Sequence, residues 1–573
     1  MMISKKSIYF FLLFLLVGAK PLFAQNKIDS VQTKNLYYQA LNEKARGRID
    51  QAKITLNKLL KLDNNYDAAL FELARIELEQ QNLGDAAIHA KKATTLKPDN
   101  EWYWILLADV YKRMEDFKSI PPIFDQLLRL KPDKKEYYYD RAFALFLNND
   151  LDGALKAYNA IEDKFGKDDN IRIARQEVYL KQRNAKKAID EIAAIKEEHP
   201  DSTKGYILLA NLYLKLERPK DALKVLDEGH KRLPNDPYIS LSKADAYHAL
   251  KAEDKSAQEL KKAFASDKMN FESKMRLLIS LMADGKNEQM APLIDDLASG
   301  LTSSYPTDAR AFALYGDILA QQKQLKEARE KYLKAIDLNS RVHTIWEQLL
   351  QLELTLGMQQ EALAHAYKAS ALFPQEPLTQ FFAGHAFFME KKYTDARNCF
   401  EASLNHVDEK NKPLMTQVYS SLGDTYHALD MFPASDQAYE EALKLDSNNV
   451  GTLNNYAYYL SLRKTKLDEA AEMSKRSNEL APDNPTFQDT YAWVLFQQGN
   501  YKEALVWIEK AIANSSTADA SFALLEHYGD ILFKLGHTDK AVAKWKEAKA
   551  TAQVSGENVE LLSKKIDAKK YFE

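Results

Sequence analysis

Ser461 and Lys464 stand in the S-x-x-K spacing, in which a lysine amine can take the proton of a serine hydroxyl and make it a nucleophile. The companion motifs that such chemistry needs are absent, and so short a pattern arises by chance in a lysine-rich chain. His248, His385 and His427 lack ligand spacing, so no metal site is expected. No HExxH, no GxSxG and no phosphate-binding glycine loop occurs. Cys399 is the only cysteine, which excludes an intrachain disulfide. Its neighbours Ala396, Phe400 and Ala402 point to a buried structural thiol. The chemistry that is left is recognition by charged and aromatic side chains, and that depends on the elements presenting them.

Those elements recur with a period of 34 residues. Small residues fall in one phase at Ala40, Ala74, Ala108, Ala142, Ala210 and Ala244. A second series follows at Ala52, Ala86, Ala154, Ala188 and Ala222, and Pro98, Pro132, Pro200 and Pro234 close the unit. Within one unit Trp104, Leu107, Ala108 and Tyr111 form the apolar stripe of a first helix. Glu115-Asp116 reads as the turn, and Phe124 and Leu127 belong to a second helix. Each pair leaves its apolar stripe wet until the next pair covers it, so the period predicts a solenoid.

Composition agrees. Gly 18 and Pro 17 are few for 573 residues, while 46% apolar and 11% aromatic residues supply a core. At the N-terminus Lys5 and Lys6 precede the apolar residues 8–17, and Leu22-Phe23-Ala24 ends on a small residue before Gln25. This pattern predicts a secretory signal peptide over 1–24, the alternative being a membrane-anchored N-terminus. No cysteine follows the cleavage point, which excludes a lipoprotein anchor, and no later stretch is apolar enough to span a bilayer. Losing Lys5, Lys6 and Lys20 takes the formal charge from −3 to −6, which argues against nucleic acid as a partner.

The repeat resembles the tetratricopeptide repeat, whose pattern is W-x2-L-G-x2-Y, then A-x3-F, then P. Leu422-Gly423-Asp424-Thr425-Tyr426 with Tyr439 and Ala442 carries the resemblance best. Tyr491-Ala492-Trp493 with Gly499 and Ala504, and Tyr528-Gly529-Asp530 with Gly536 and Trp545, carry it again. It implies an all-α, right-handed superhelical solenoid of about fifteen helix pairs. Units are expected near Thr33, Asp67, Glu101, Lys135, Asp169, Thr203 and Pro237, filling 33–270. An irregular repeat follows over 271–308, where Leu278 and Met290 replace the small residues and Gly285, Gly300 and Pro306 interrupt. A second solenoid is expected over 309–556, with units near Ala309, His343, Pro377, Thr416, Val450, Pro485 and Phe522 and an insertion at 408–413. A capping helix is expected within 557–573. Glu43, Glu77 and Glu353 break the pattern at a usual aromatic position.

The resemblance also implies where a partner sits. In the family, positions 2, 5, 9, 12 and 13 of each first helix line a concave groove. In the first half these positions include Lys44, Arg75, Lys112, Lys204 and Lys215, with Asn211 and Asp245 beside them. In the second half they include Asp317, Glu347, Asp424, Asp489, Glu526 and Asp530, opposed by Arg310 and Lys534. A mildly basic first half and an acidic second half would steer a partner with a basic segment. A ninth-position aspartate equally suits local hydrogen bonding, and both readings stand at this point. Lys204 and Asn211 resemble half of a carboxylate clamp that lacks matching residues on the adjacent units. Trp493 and Phe496 are expected to reach the groove as apolar anchors, or else to fill the core.

These features predict a non-enzymatic, exported scaffold that binds a protein or peptide and needs no cofactor. The run 454–545 is similar to exported bacterial tetratricopeptide proteins of the Bacteroidetes type, which implies a periplasmic or outer-membrane-associated role in envelope assembly or secretion. The alternatives are an accessory subunit of a cell-wall or polysaccharide enzyme and a glycan-binding module.

Overall fold

The computed structural model describes residues 30–283, 287–515, 521–555 and 558–572. The expected signal peptide and Gly285 lie outside the described residues. Thirty-one helices and no strand occur among the described residues. They form fifteen pairs and one closing helix, Glu560–Ala568. The chain divides into two compact units, one up to Met269 and one from Asn270, with seven pairs in the first and eight in the second.

The period places the helices well because each start has a local cause. First helices begin at Asp67, Glu101, Lys135, Asp169, Thr203 and Pro237. Asn100, Asp168, Ser202 and Asp236 accept hydrogen bonds from the first free amides of the helices that follow them. The first helix starts at Ser30 and not Thr33. The unit placed near Thr416 starts earlier, at Lys412, because Asn411 caps a helix with one extra turn, taken from the end of the expected insertion. Pro121 and Pro122 sit in the first turn of Ile120–Leu130, where their missing amides cost little.

Between the helices of a pair one residue adopts a left-handed backbone. It recurs with the repeat: Gly47, Gln81, Glu115, Asn149, Arg183, Glu217 and Lys251. The second unit continues with Lys323, Gly357, Lys391, Asp430, Lys464, Gly499 and Gly536. This reverses the chain and lets the next amide reach back to the first helix, as Asn82 N does to the Glu77 carbonyl at 2.8 Å.

Small residues then let the paired helices close. Ala52, Ala74, Ala86, Ala142, Ala154, Ala188, Ala210 and Ala222 have 0% exposure. Where the first helix carries glycine, an aromatic ring of the second helix lies on it. A Cβ at Gly316, Gly384, Gly423 or Gly529 would meet Tyr332, Phe400, Tyr439 or Trp545 at 2.4–2.6 Å. The glutamates that break the pattern each have a polar partner on the facing helix. Glu43 accepts from Thr55 at 2.7 Å, and Glu77 and Glu353 pair with His89 and His365 at 2.7 and 2.8 Å.

The irregular repeat is Phe271–Ala283 followed by Asn287–Ser304, and Pro292 lies inside the second of these helices. Leu278 is fully buried where other units carry a small residue. At the far end Leu562 of the closing helix packs against Leu525, Leu532 and Trp545. Cys399 is buried, and burial, its largest cause, pushes the thiol up to about 12, which suits packing rather than reaction.

Candidate functional site

Within each unit some first helices of successive repeats touch each other as well as their own partners, for example Thr203–Lys215 with Pro237–Ala249 and Val450–Leu462 with Pro485–Gln497. Their shared face is the candidate interaction surface.

In the second unit the acidic series turns inward. Tyr332 donates its hydroxyl to Asp317 at 2.8 Å, and Tyr439 donates to Asp424 at 2.6 Å. Trp545 donates its indole N–H to Asp530 at 2.9 Å. Each aspartate directly follows the glycine on which that same aromatic ring lies, Gly316, Gly423 or Gly529, so close helix approach carries the donor to the carboxylate. Asp489 pairs with His527 at 2.9 Å. Glu347 accepts from Thr379 at 2.8 Å and faces His343 at 2.9 Å. Glu526 and Asp530 hold the Lys565 ammonium at 2.7 and 2.8 Å. The acidic stripe expected to face a partner is therefore largely satisfied inside the stack. Asp317 alone of the three tyrosine- or tryptophan-bonded aspartates stays exposed.

Two shifts follow from this burial. Desolvation pushes the Asp424 carboxyl up to about 6, against the opposing hydrogen bonds from Tyr439 and Asn455. Burial disfavours the charged form of His527, but the carboxylates of Asp489, Asp530 and Glu526 outweigh it and raise its pKa. The Asp424 shift has a testable sign. Its folded-state value lies above the unfolded one, so the stabilisation it brings is full below about pH 4 and is lost as pH rises through about 6. Asp424→Asn should therefore be more stable than wild type at pH 7–8, by up to about 3 kcal/mol. That difference should vanish by about pH 4. Thermal unfolding of both proteins across this range checks it, and a difference independent of pH would contradict it.

Trp493 and Phe496, expected as groove anchors, are 8% and 4% exposed. Their rings stack at 4.7 Å, Trp493 stacks on His527 at 4.0 Å, and Tyr571 covers Phe496 at 5.7 Å. The closing segment returns across Phe496, while Trp493 lies between Phe496 and His527. Sequence reasoning missed Lys565 and Tyr571, since neither lies at a repeat position.

In the first unit the expected residues stay at the surface but do not converge. Lys204 is paired with Asp169 at 2.8 Å, and Lys215 with Glu177 at 3.3 Å. Asn211 and Asp245 are exposed on neighbouring first helices. A narrow cleft of about 70 Å³ opens elsewhere, between Glu101–Arg113 and Lys135–Leu147. Phe117, Phe124, Phe143 and Leu147 line its apolar side, and Asp109, Lys112 and Asp140 its polar side. Phe143 is 45% exposed, and Asp109 and Asp140 are exposed too. Loss of hydration beside the apolar wall nonetheless raises both carboxyls, with Lys112 pulling the other way.

The possible nucleophile is otherwise engaged: Ser461 is fully buried and donates to the Tyr458 carbonyl at 2.6 Å. Among the described residues no group of three His, Cys, Asp or Glu residues is placed to hold a metal ion. No described helix is long and apolar enough to cross a membrane.

Stacked helix pairs with a left-handed turn and an inter-helix small-residue contact, within each unit, define an all-α repeat solenoid. Family models described as tetratricopeptide repeat match residues 37–101, 106–169 and 295–343, 179–246, and 416–449. The chain thus contains tetratricopeptide repeats, in both of its units. Among curated proteins it is similar to the mitochondrial import receptor subunit TOM70 of Homo sapiens, 21% identical over 262 residues. That match covers 45% of this chain and 42% of the relative, and the Rattus norvegicus protein matches to the same extent. Among solved structures, Naa15/Naa10 bound to HypK-THB aligns over 95% of this chain and 96% of that one, at 14% identity and TM-score 0.41. The Cut9-Hcn1 hetero-tetramer of APC/C aligns over 81% and 96%, at 15% identity and TM-score 0.33. Likeness at these scores does not bear on function.

Proposed function

We propose that this chain is a non-enzymatic scaffold that holds a protein or peptide partner on its first-helix face, and that it works after export in a bacterial envelope. The observation that carries the binding role is the cleft at Phe143. An exposed aromatic ring beside an apolar wall, flanked by two carboxylates that share the single lining cation Lys112, suits a partner side chain with an apolar stem and a cationic end. The partner segment is therefore basic. The likeness to part of a protein named as an import receptor subunit supports recognition of other proteins. Export rests on the residue pattern of 1–24.

The test compares affinity capture by wild type and by Phe143→Ser/Asp140→Lys, with mass spectrometry of the bound proteins from envelope fractions. A partner retained by wild type and lost by the variant, more weakly held at high salt, is expected. Equal recovery of every protein by both would overturn the cleft as the site. N-terminal sequencing of the chain recovered from the periplasm should begin at Gln25, and a chain retained in the cytoplasm would remove the envelope from the proposal.

A further inference from the structure

The closing segment does more than cover a hydrophobic end. After Glu560–Ala568 the backbone turns at Lys569, which is left-handed at φ 47°. The chain then runs back over the first helices of the last two repeats. Tyr571 lands on Phe496 of Pro485–Gln497 at 5.7 Å, edge to face. The ammonium of Lys534, the last residue of Phe522–Lys534, stands 4.5 Å from the centre of the Tyr571 ring. Lys565 stands 5.2 Å from the same centre. Phe496 and Lys534 occupy positions 12 and 13 of their first helices, positions that the family resemblance would place on a groove. The aromatic seat is thus built on the interaction face, and a piece of the chain itself fills it.

We propose that this seat is a recognition site for an aromatic residue of a partner's extended segment, and that residues 569–572 are a displaceable strap that fills it in the partner's absence. The occupant chemistry is read from the seat. An apolar ring edge below and two cations beside the ring favour an electron-rich aromatic side chain, tyrosine or tryptophan, over an aliphatic one. The same contacts show that such a ring fits. Tyr571 and Phe572 remain partly exposed, and neither lies in a helix. The inference rests on the reading of the first-helix face as a binding surface, and it adds the chemistry of one contact and a competitor for it.

The probe is a fluorescent peptide with the sequence of residues 565–573, used against three proteins: the full chain, a chain ending at Ala568, and the full chain with Tyr571→Ala. Saturable binding is expected to the shortened chain and to Tyr571→Ala. Binding to the wild-type chain should be about tenfold weaker or less, because a tethered strap competes at an effective concentration in the millimolar range. The peptide carrying Tyr571→Ala should lose binding to all three, and one carrying Tyr571→Trp should keep it. Circular dichroism confirms that each protein keeps its helices, and Tyr571→Ala serves if the shortened chain does not fold. Binding that ignores the tyrosine, or is equal for wild type and the two opened proteins, overturns the seat and the strap. If the opened proteins bind no peptide yet still capture the partner that depends on Phe143, the seat alone fails. If that partner is lost as well from wild type, the underlying binding role fails.

Discussion

Asp530→Ala should destabilise the last repeats by about 3–5 kcal/mol, the range found when one member of a buried ion pair is removed. Asp530 and Lys565 are 1% and 2% exposed. The Lys565 ammonium lies 2.9 and 2.8 Å from the two Asp530 oxygens and 2.7 Å from Glu526. Truncation leaves the lysine with Glu526 as its only carboxylate in contact and leaves the Trp545 indole N–H without its acceptor. Burial pushes the Asp530 carboxyl up to about 6 while Lys565 opposes the shift, so the pair stands close to balance between desolvation and attraction. Removing both charges should therefore cost much less than removing one. Asp530→Ala/Lys565→Met is expected to recover most of the loss. Because a repeat array couples mainly through neighbours, the effect should be local. Hydrogen exchange should quicken in Phe522–Lys534 and the closing helix, and stay unchanged in the first unit. Additive losses in the double variant would show that the two side chains do not act as a pair.

Part of this architecture is open to a reader of the sequence and part is not, for physical reasons. The stack demands a small residue wherever two helices touch, so Ala74, Ala108 and Ala142 announce the period and the helix starts follow. The left-handed turn is just as regular, but residues such as Gln81, Glu115, Arg183 and Lys251 occupy it more often than glycine does, so residue type does not reveal it. The acidic series could be located but not oriented. Yet a signal was present: Gly316-Asp317 precedes Tyr332, Gly423-Asp424 precedes Tyr439, and Gly529-Asp530 precedes Trp545 at the same spacing. A glycine opposite a ring, followed by a carboxylate within reach of that ring's donor, reads as an internal hydrogen bond. The glutamates at 43, 77 and 353 likewise have Thr55, His89 and His365 at a common spacing. The cover on Phe496 had no such signal. It depends on Tyr571, which lies outside the repeat and reaches Phe496 only through the turn at Lys569.

The same glycine rule makes a second large effect predictable. A Cβ at Gly384 would stand 2.6 Å from Phe400 Cε1 and 2.8 Å from its Cδ1, well inside van der Waals contact. Phe400 cannot yield easily. It has 0% exposure, and the His385 and Phe381 rings hold it at 5.2 and 6.1 Å. Gly384→Ala should thus cost about 1–3 kcal/mol by overpacking, although alanine is the better helix former by about 1 kcal/mol. Propensity and packing therefore pull in opposite directions, and the sign of the measured change decides which wins. Phe400→Leu alone should cost about 1–3 kcal/mol through lost contacts and a partial cavity. In the double variant the smaller side chain leaves room for the new methyl, so the combined loss should fall below the sum of the two, with a coupling of about 0.5–3 kcal/mol. Phe400 has no hydroxyl and no aspartate partner, so this pair isolates steric contact from the hydrogen bond that accompanies it at Tyr332, Tyr439 and Trp545. Urea unfolding of the four proteins measures the cycle. A stabilising Gly384→Ala would mean that the ring moves aside freely and that glycine at this position serves no packing role.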